Sequence, residues 1–153
     1  MKTLTVCTLI LGTILTSASA LAFNRANVDE LNFSIEKCFE QTQLGQEGST
    51  RACNDIIRSD VVSRHNKAIA LHNRGVIKLA KGEKEAALSD FMAATRRVPE
   101  NVESLLAAAH VYHQLNQIEN AKMIMAKVSS IDSKDALFKQ YQAKLNLLVE
   151  RTE

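Results

Sequence analysis

Apolar residues from Asp29 onward recur at spacings of three and four residues, and Gly, Asn, Ser or Asp interrupts them at short intervals. This spacing predicts amphipathic helices of about a dozen residues each. The predicted helices cover residues 29–43, 50–60, 66–80, 84–97, 102–115, 118–130 and 134–149. Alternation of apolar and polar residues with a period of two does not persist long enough for a sheet, so the pattern predicts an all-α fold.

The helices repeat in pairs along the chain, which indicates a solenoid built from similar units. When residues 68–101 are aligned with residues 102–135, Leu71 falls on Leu105, Gly75 on Ala109, Ala87 on Ala121, and Phe91 on Met125. Gly75 and Ala87 are small, so two antiparallel helices can approach each other closely there. Gly82 suits the turn between those helices, and Pro99 is expected to end the second one.

The segment 68–101 resembles the tetratricopeptide repeat, a helix–turn–helix unit of about 34 residues. Six of eight signature positions match at the family spacing, whereas Arg74 stands for the usual Leu and Lys78 for the usual Tyr. The segment 102–135 is a weaker second unit. The signature residues of the two units are Leu71, Gly75, Gly82, Ala87, Phe91, Ala94, Pro99, Leu105, Ala109, Tyr112 and Ala121.

The resemblance implies a right-handed α-α solenoid of antiparallel helix pairs. Each such unit buries its core only against its neighbours, so the last unit needs a cover. Residues 136–153 fit that role as a capping helix and tail, with Leu145 and Leu148 on one apolar stripe. Residues 23–67 are predicted to form a degenerate first hairpin.

This first hairpin contains Cys38 and Cys53, the two cysteines that remain after an N-terminal signal is removed. By the family numbering Cys53 occupies the small twentieth position. Cys38 occupies the small eighth position if the turn is slightly longer than usual. These positions face each other at the crossing of the two helices, so the resemblance implies a disulfide. The alternative is a pair of buried free thiols.

Residues 1–22 have the layout of a secretory signal, with Lys2 before an apolar run and small residues before a cleavage site after Ala20 or Ala22. We therefore expect an exported protein, periplasmic or secreted. Removing residues 1–22 leaves 18 Lys and Arg against 17 Asp and Glu, a net charge of +1. A nearly neutral chain without a basic run gives no indication of a nucleic-acid partner.

Catalytic and cofactor motifs are missing from the sequence. It contains no phosphate-binding glycine loop, no nucleophile elbow and no clustered Cys and His with zinc spacing, so we expect neither an enzyme nor a cofactor. His110 and His113 share one helix face and could hold a metal if a third ligand joined them. A small metal-binding or enzymatic helical protein using these two histidines is therefore one alternative.

The family resemblance also implies a peptide-binding groove lined by the first helix of each unit. Carried over to this chain, its lining is Ile69, His72, Asn73, Val76, Leu79 and Ala80, then Glu103, Leu106, Ala107, His110, His113 and Gln114. The alternative is that these residues pack against the chain's own N-terminal helix, since the pattern alone does not separate a groove from a core face. The function implied is a non-enzymatic adaptor for a protein or peptide. A second alternative is a structural homo-oligomer that associates through Leu145 and Leu148, and sedimentation would distinguish it from a monomeric adaptor.

Overall fold

The computed structural model describes residues 30–131, together with residues 139 and 143. Within 30–131 the chain forms helices and connecting turns without a strand, which confirms the all-α prediction. The helices are α1 (30–43), α2 (Arg51–Arg58), α3 (Arg64–Ala80), α4 (Lys84–Arg97), α5 (Val102–Gln114) and α6 (Ile118–Ile131). The predicted signal (1–22), Leu145, Leu148 and the capping segment apart from residues 139 and 143 lie outside the described residues.

The helix boundaries follow from local capping. Helix α3 begins slightly earlier than predicted because the Ser63 hydroxyl accepts a hydrogen bond from the Asn66 backbone N–H at 3.1 Å. Asn101 caps α5 in the same way, accepting from the Ser104 N–H at 2.8 Å. Val98 is extended (φ −129°, ψ 94°) before Pro99, so the proline ends α4 as predicted.

Successive helices pack against one another in chain order: α2 against α3, α3 against α4, α4 against α5, and α5 against α6. This arrangement is an α-α solenoid, as the sequence predicted. The guanidinium of Arg64, at the start of α3, donates to the carbonyl oxygen of Arg96 near the end of α4. A cation is favourable at that helix end.

The closest approach inside the second hairpin lies at Gly75 of α3. A Cβ atom placed there would lie 2.7 Å from Cε1 of Phe91, whose ring is fully buried on α4. Ala87 is also fully buried, as predicted for a contact between the helices. Gly82 has φ +82° in the turn, a conformation that glycine adopts without strain.

The third hairpin uses a different pair at the equivalent positions. Ala109 and Met125 occupy one buried cluster with Leu105 and Ala121. A methyl group on α5 is therefore accommodated where the facing side chain is a flexible thioether instead of a rigid ring. The equivalent positions are therefore Gly and Phe in the second hairpin (α3 and α4) and Ala and Met in the third hairpin (α5 and α6).

The first hairpin contains the Cys38–Cys53 disulfide, in the pairing that the resemblance implied. It joins α1 to α2 with the two Cα atoms 4.8 Å apart. Both cysteines are buried in a cluster with Ile56, Ala70 and Ile77, which extends the core from α2 into α3. The first hairpin is thereby continuous with the second.

Candidate functional site

An apolar groove of about 230 Å³ lies between α1 and α3. One wall is formed by α1 and the other by α3, while Ile56 of α2 lies between them. The lining residues are Ile35, Cys38, Phe39, Ile56, Asn66, Ile69, Ala70 and Asn73.

The rim of this groove exposes large apolar side chains to solvent. Phe39 is 60% exposed, Ile69 is 43% exposed and Ile35 is 37% exposed. Ile35 and Phe39 are one helical turn apart on α1, so they lie on the same helix face. A contiguous apolar surface of this kind indicates a binding site more strongly than scattered single residues do.

The electrostatic character of the groove is neutral. None of its described lining residues carries a charge, and its polar groups are the side-chain amides of Asn66 and Asn73. These amides lie two helical turns apart on α3, on the same face as Ile69. The arrangement offers apolar contact with two hydrogen-bonding groups along one wall.

Of the groove residues predicted in the second unit, Ile69 and Asn73 line the observed groove. Val76 and Leu79 are half-buried instead and pack against the cluster formed by α4 and α5. The residues of this face that line the groove therefore lie towards the N-terminal end of α3.

In the third unit the assignment of Leu106 to the groove is wrong. Leu106 is only 1% exposed and belongs to the core between α5 and α6. Because α5 contacts both α4 and α6, its buried face is wider than the family assignment implies. Glu103 and Gln114 are exposed, while Ala107, His110 and His113 are half-buried.

His72 forms a link between the second and third units. Its Nδ1 lies 3.0 Å from the Ser104 hydroxyl oxygen, and its ring is tilted against Phe91 with centroids 5.5 Å apart. Ser104 is fully buried. Burial lowers the pKa of His72 below 6.5, and the nearby carboxylate of Glu103 opposes that shift.

We expect the free energy of unfolding to depend on pH through the protonation of His72. An unfolded His72 binds a proton near pH 6.5, whereas the folded one binds it only at lower pH. The contribution of neutral His72 to the free energy of unfolding is therefore complete above pH 6.5. It is lost as the pH falls towards the lowered pKa of the folded protein. Urea unfolding of His72→Gln should show a weaker loss between pH 7 and pH 5 than the wild type. The control His65→Gln changes an exposed histidine of the same helix and should keep the wild-type loss.

His110 and His113 are located on α5 as predicted. His110 Nε2 lies 2.8 Å from Nε2 of Gln114, one helical turn further on. In the part of the chain that the structure describes, no three His, Cys, Asp or Glu side chains converge as a metal site would require. The same residues include no helix long and apolar enough to cross a membrane.

An ionic cluster around the buried carboxylate of Asp90, which the sequence analysis missed, connects three helices. The Arg74 guanidinium donates to both carboxylate oxygens of Asp90, at 2.8 and 2.6 Å, and Lys78 Nζ lies 2.8 Å from Asp90 Oδ2. Arg74 also donates to Asn54 Oδ1 of α2 at 2.7 Å. Arg74 and Lys78 are the two departures from the repeat signature, and both contact one carboxylate on α4.

The α1 side of the groove was also missed. Leu31, Ile35, Cys38 and Phe39 have the spacing of one apolar helix face in the sequence. In the structure Cys38 is buried, whereas Ile35 and Phe39 are exposed at the groove. The spacing of this stripe shows that the residues share a face, but it does not distinguish a core from a binding surface.

Comparison with known families identifies the repeats. Residues 68–101 and residues 102–135 each match the family model described as tetratricopeptide repeat. No curated protein matches the chain.

Proposed function

Because this chain is a tetratricopeptide repeat protein, we propose that it is a non-enzymatic adaptor that holds an apolar segment of a protein partner in the groove between α1 and α3. Domains of this family generally mediate interactions between proteins. The observation that carries the proposal is the exposure of Phe39 and Ile69 on opposite walls of one groove. Apolar side chains from a partner would remove both from water.

The neutral lining defines the kind of segment that the groove fits. A peptide rich in acidic or basic residues would have to desolvate its charges against Ile35, Phe39 and Ile69 without an opposing charge. An apolar segment avoids this cost, and Asn66 and Asn73 can satisfy its polar groups. We therefore expect the affinity to change little between low and physiological salt, because no ion pair needs to form.

We propose further that the adaptor works in the periplasm or outside the cell. Residues 1–22 have the composition of a secretory signal, and the Cys38–Cys53 disulfide suits an oxidising compartment. N-terminal sequencing of the mature protein from its native host should find a new terminus after Ala20 or Ala22. A mature protein that retains Lys2 would contradict export by cleavage.

The groove is tested by crosslinking the protein in its native compartment and identifying what it captures. Ile69→Glu places a charge in the centre of the α3 wall, so we expect capture of the specific partner to fall about tenfold or more. Ile69 is partly exposed, so this variant should retain the wild-type helical circular dichroism.

Val61→Glu is the matched control. Val61 is 80% exposed and does not line the groove, so the same change there adds the same charge at a different surface. Equal capture by Ile69→Glu and the wild type would contradict the proposed site. Leu106→Glu does not test the groove, because Leu106 is buried and a charge there would damage folding.

A further inference from the structure

Helix α1 forms one wall of the groove, yet it contributes little to the core. Of residues 30–43, Cys38 alone is buried, and the others are half-buried or exposed. Leu31 is half-buried and packs against the cluster around Cys53. Ordinary amphipathic helices of this length bury a stripe of apolar side chains, which supplies most of their stability. Helix α1 lacks that stripe, so its attachment depends on another interaction.

The Cys38–Cys53 bond provides this attachment. Cys38 lies on the groove lining, and its partner Cys53 is fully buried on α2. Within residues 30–131, two polar contacts link α1 to the chain that follows it: Gln41 Oε1 accepts from the Ser49 N–H at 2.7 Å, and Cys53 Sγ lies 3.8 Å from the carbonyl oxygen of Cys38. The turn at Gly45–Glu47, directly after α1, also contacts α3. The disulfide therefore joins the weakly buried wall to the rest of the protein.

The opposite wall is fixed independently of this bond. Helix α3 packs against both α2 and α4. Arg74 of α3 reaches Asn54 on α2 and Asp90 on α4, which holds these three helices together. Loss of the disulfide would consequently release α1 while α2, α3 and α4 remain associated.

We propose that the oxidation state of Cys38 and Cys53 controls whether the groove exists, so that the oxidised protein binds its partner and the reduced protein does not. The inference rests on the proposed function of the groove. Reduction by a dithiol transfers two electrons and two protons: the Cys38–Cys53 bond breaks, two thiols form, and the dithiol becomes a disulfide. Because binding and disulfide formation are linked, an occupied groove should also shift the thiol–disulfide equilibrium towards the disulfide.

Hydrogen exchange of the full mature chain tests the structural step without a partner. Two samples are compared with the oxidised wild type: the wild type reduced with dithiothreitol, and the variant Cys38→Ala/Cys53→Ala. We expect amide exchange within 34–43 to accelerate on the order of 100-fold, the factor that closure of a loop of this length confers. Exchange in α3 and α4 should change far less. Unchanged exchange in 34–43 would overturn the inference, whatever the groove binds.

A matched control separates loss of the disulfide from general destabilisation. Val128→Ala truncates a fully buried side chain of α6, far along the chain from α1. It should lower overall stability while leaving exchange in 34–43 close to that of the wild type. Acceleration of 34–43 in Val128→Ala to the same extent would overturn the specific role of the disulfide.

The functional step is then measured by crosslinked capture with oxidised protein, reduced protein and Cys38→Ala/Cys53→Ala. Loss of capture in the latter two supports control by the disulfide. Full capture despite accelerated exchange in 34–43 would overturn the coupling. Capture by the oxidised Ile69→Glu variant tests whether the groove binds the partner at all. Unchanged capture by this variant would contradict the proposed function, independently of any effect of reduction.

Discussion

Asp90→Ala is expected to lower the free energy of unfolding by about 3 kcal/mol or more. The change removes the carboxylate that accepts two hydrogen bonds from Arg74 and one ion pair from Lys78. Asp90 is only 3% exposed and the Arg74 and Lys78 side chains are 21% exposed, so both cations would remain in a partly buried site without a counter-charge. Urea unfolding followed by circular dichroism measures the loss. Total stabilities of small domains are about 5–15 kcal/mol, so the effect is large.

Two control variants make this prediction specific. Glu119→Ala removes an acid whose ion pair with Lys122 is exposed, and it should cost about 0.5 kcal/mol or less. The triple variant Arg74→Leu/Lys78→Tyr/Asp90→Ala replaces the whole cluster with the family residues at the first two positions. Removal of all three charges should recover much of the stability that Asp90→Ala loses. A loss below about 0.5 kcal/mol for Asp90→Ala would show that the cluster does not stabilise the fold.

Gly75→Ala is expected to destabilise the protein by about 1–2 kcal/mol, although alanine is the better helix former. The added Cβ would lie 2.7 Å from Cε1 of Phe91, whose ring is fully buried. Either the ring or the helix must therefore shift to make room. Thermal or urea unfolding of the variant against the wild type measures the cost.

A second substitution should relieve this conflict. Phe91→Met copies the pair found in the third hairpin, where Ala109 and Met125 share a buried cluster. Phe91→Met alone should cost up to about 1.5 kcal/mol. In the double variant Gly75→Ala/Phe91→Met the added methyl group fills space that the ring has vacated, so the two costs should not add. Strict additivity would show that the Gly75–Phe91 contact is not the cause of the loss.

The sequence predicted the helices closely because the relevant interactions are local. The helical spacing of apolar residues, the turn at Gly82 and the stop at Pro99 each act within a short stretch of chain. The repeat period then located the hairpins, since residues one period apart occupy equivalent positions. Even the Cys38–Cys53 pairing followed, because the family positions define where two helices cross.

The groove was predicted only in part, because the repeat pattern does not separate its two kinds of apolar position. Ile69 and Leu106 both follow the pattern of the inner helix face, but Ile69 is 43% exposed and Leu106 is buried. The difference arises from neighbouring helices that lie far away in sequence. Leu106 lies in the core between α5 and α6, whereas Ile69 lies on the part of α3 that borders the groove beside α1.

The amino-acid sequence by itself determined the helical hairpins and their repeat period, because backbone preference and side-chain spacing encode these features locally. The pairing of Cys38 with Cys53 followed from the family resemblance that the repeat carries. Tertiary structure alone decided that Arg74 and Lys78 meet on Asp90 and that Ile35, Phe39 and Ile69 surround a groove. These contacts join residues on different helices, and their distances depend on how the helices pack. Charge and hydrophobicity indicate which residues need a partner, whereas packing determines which partner each one has.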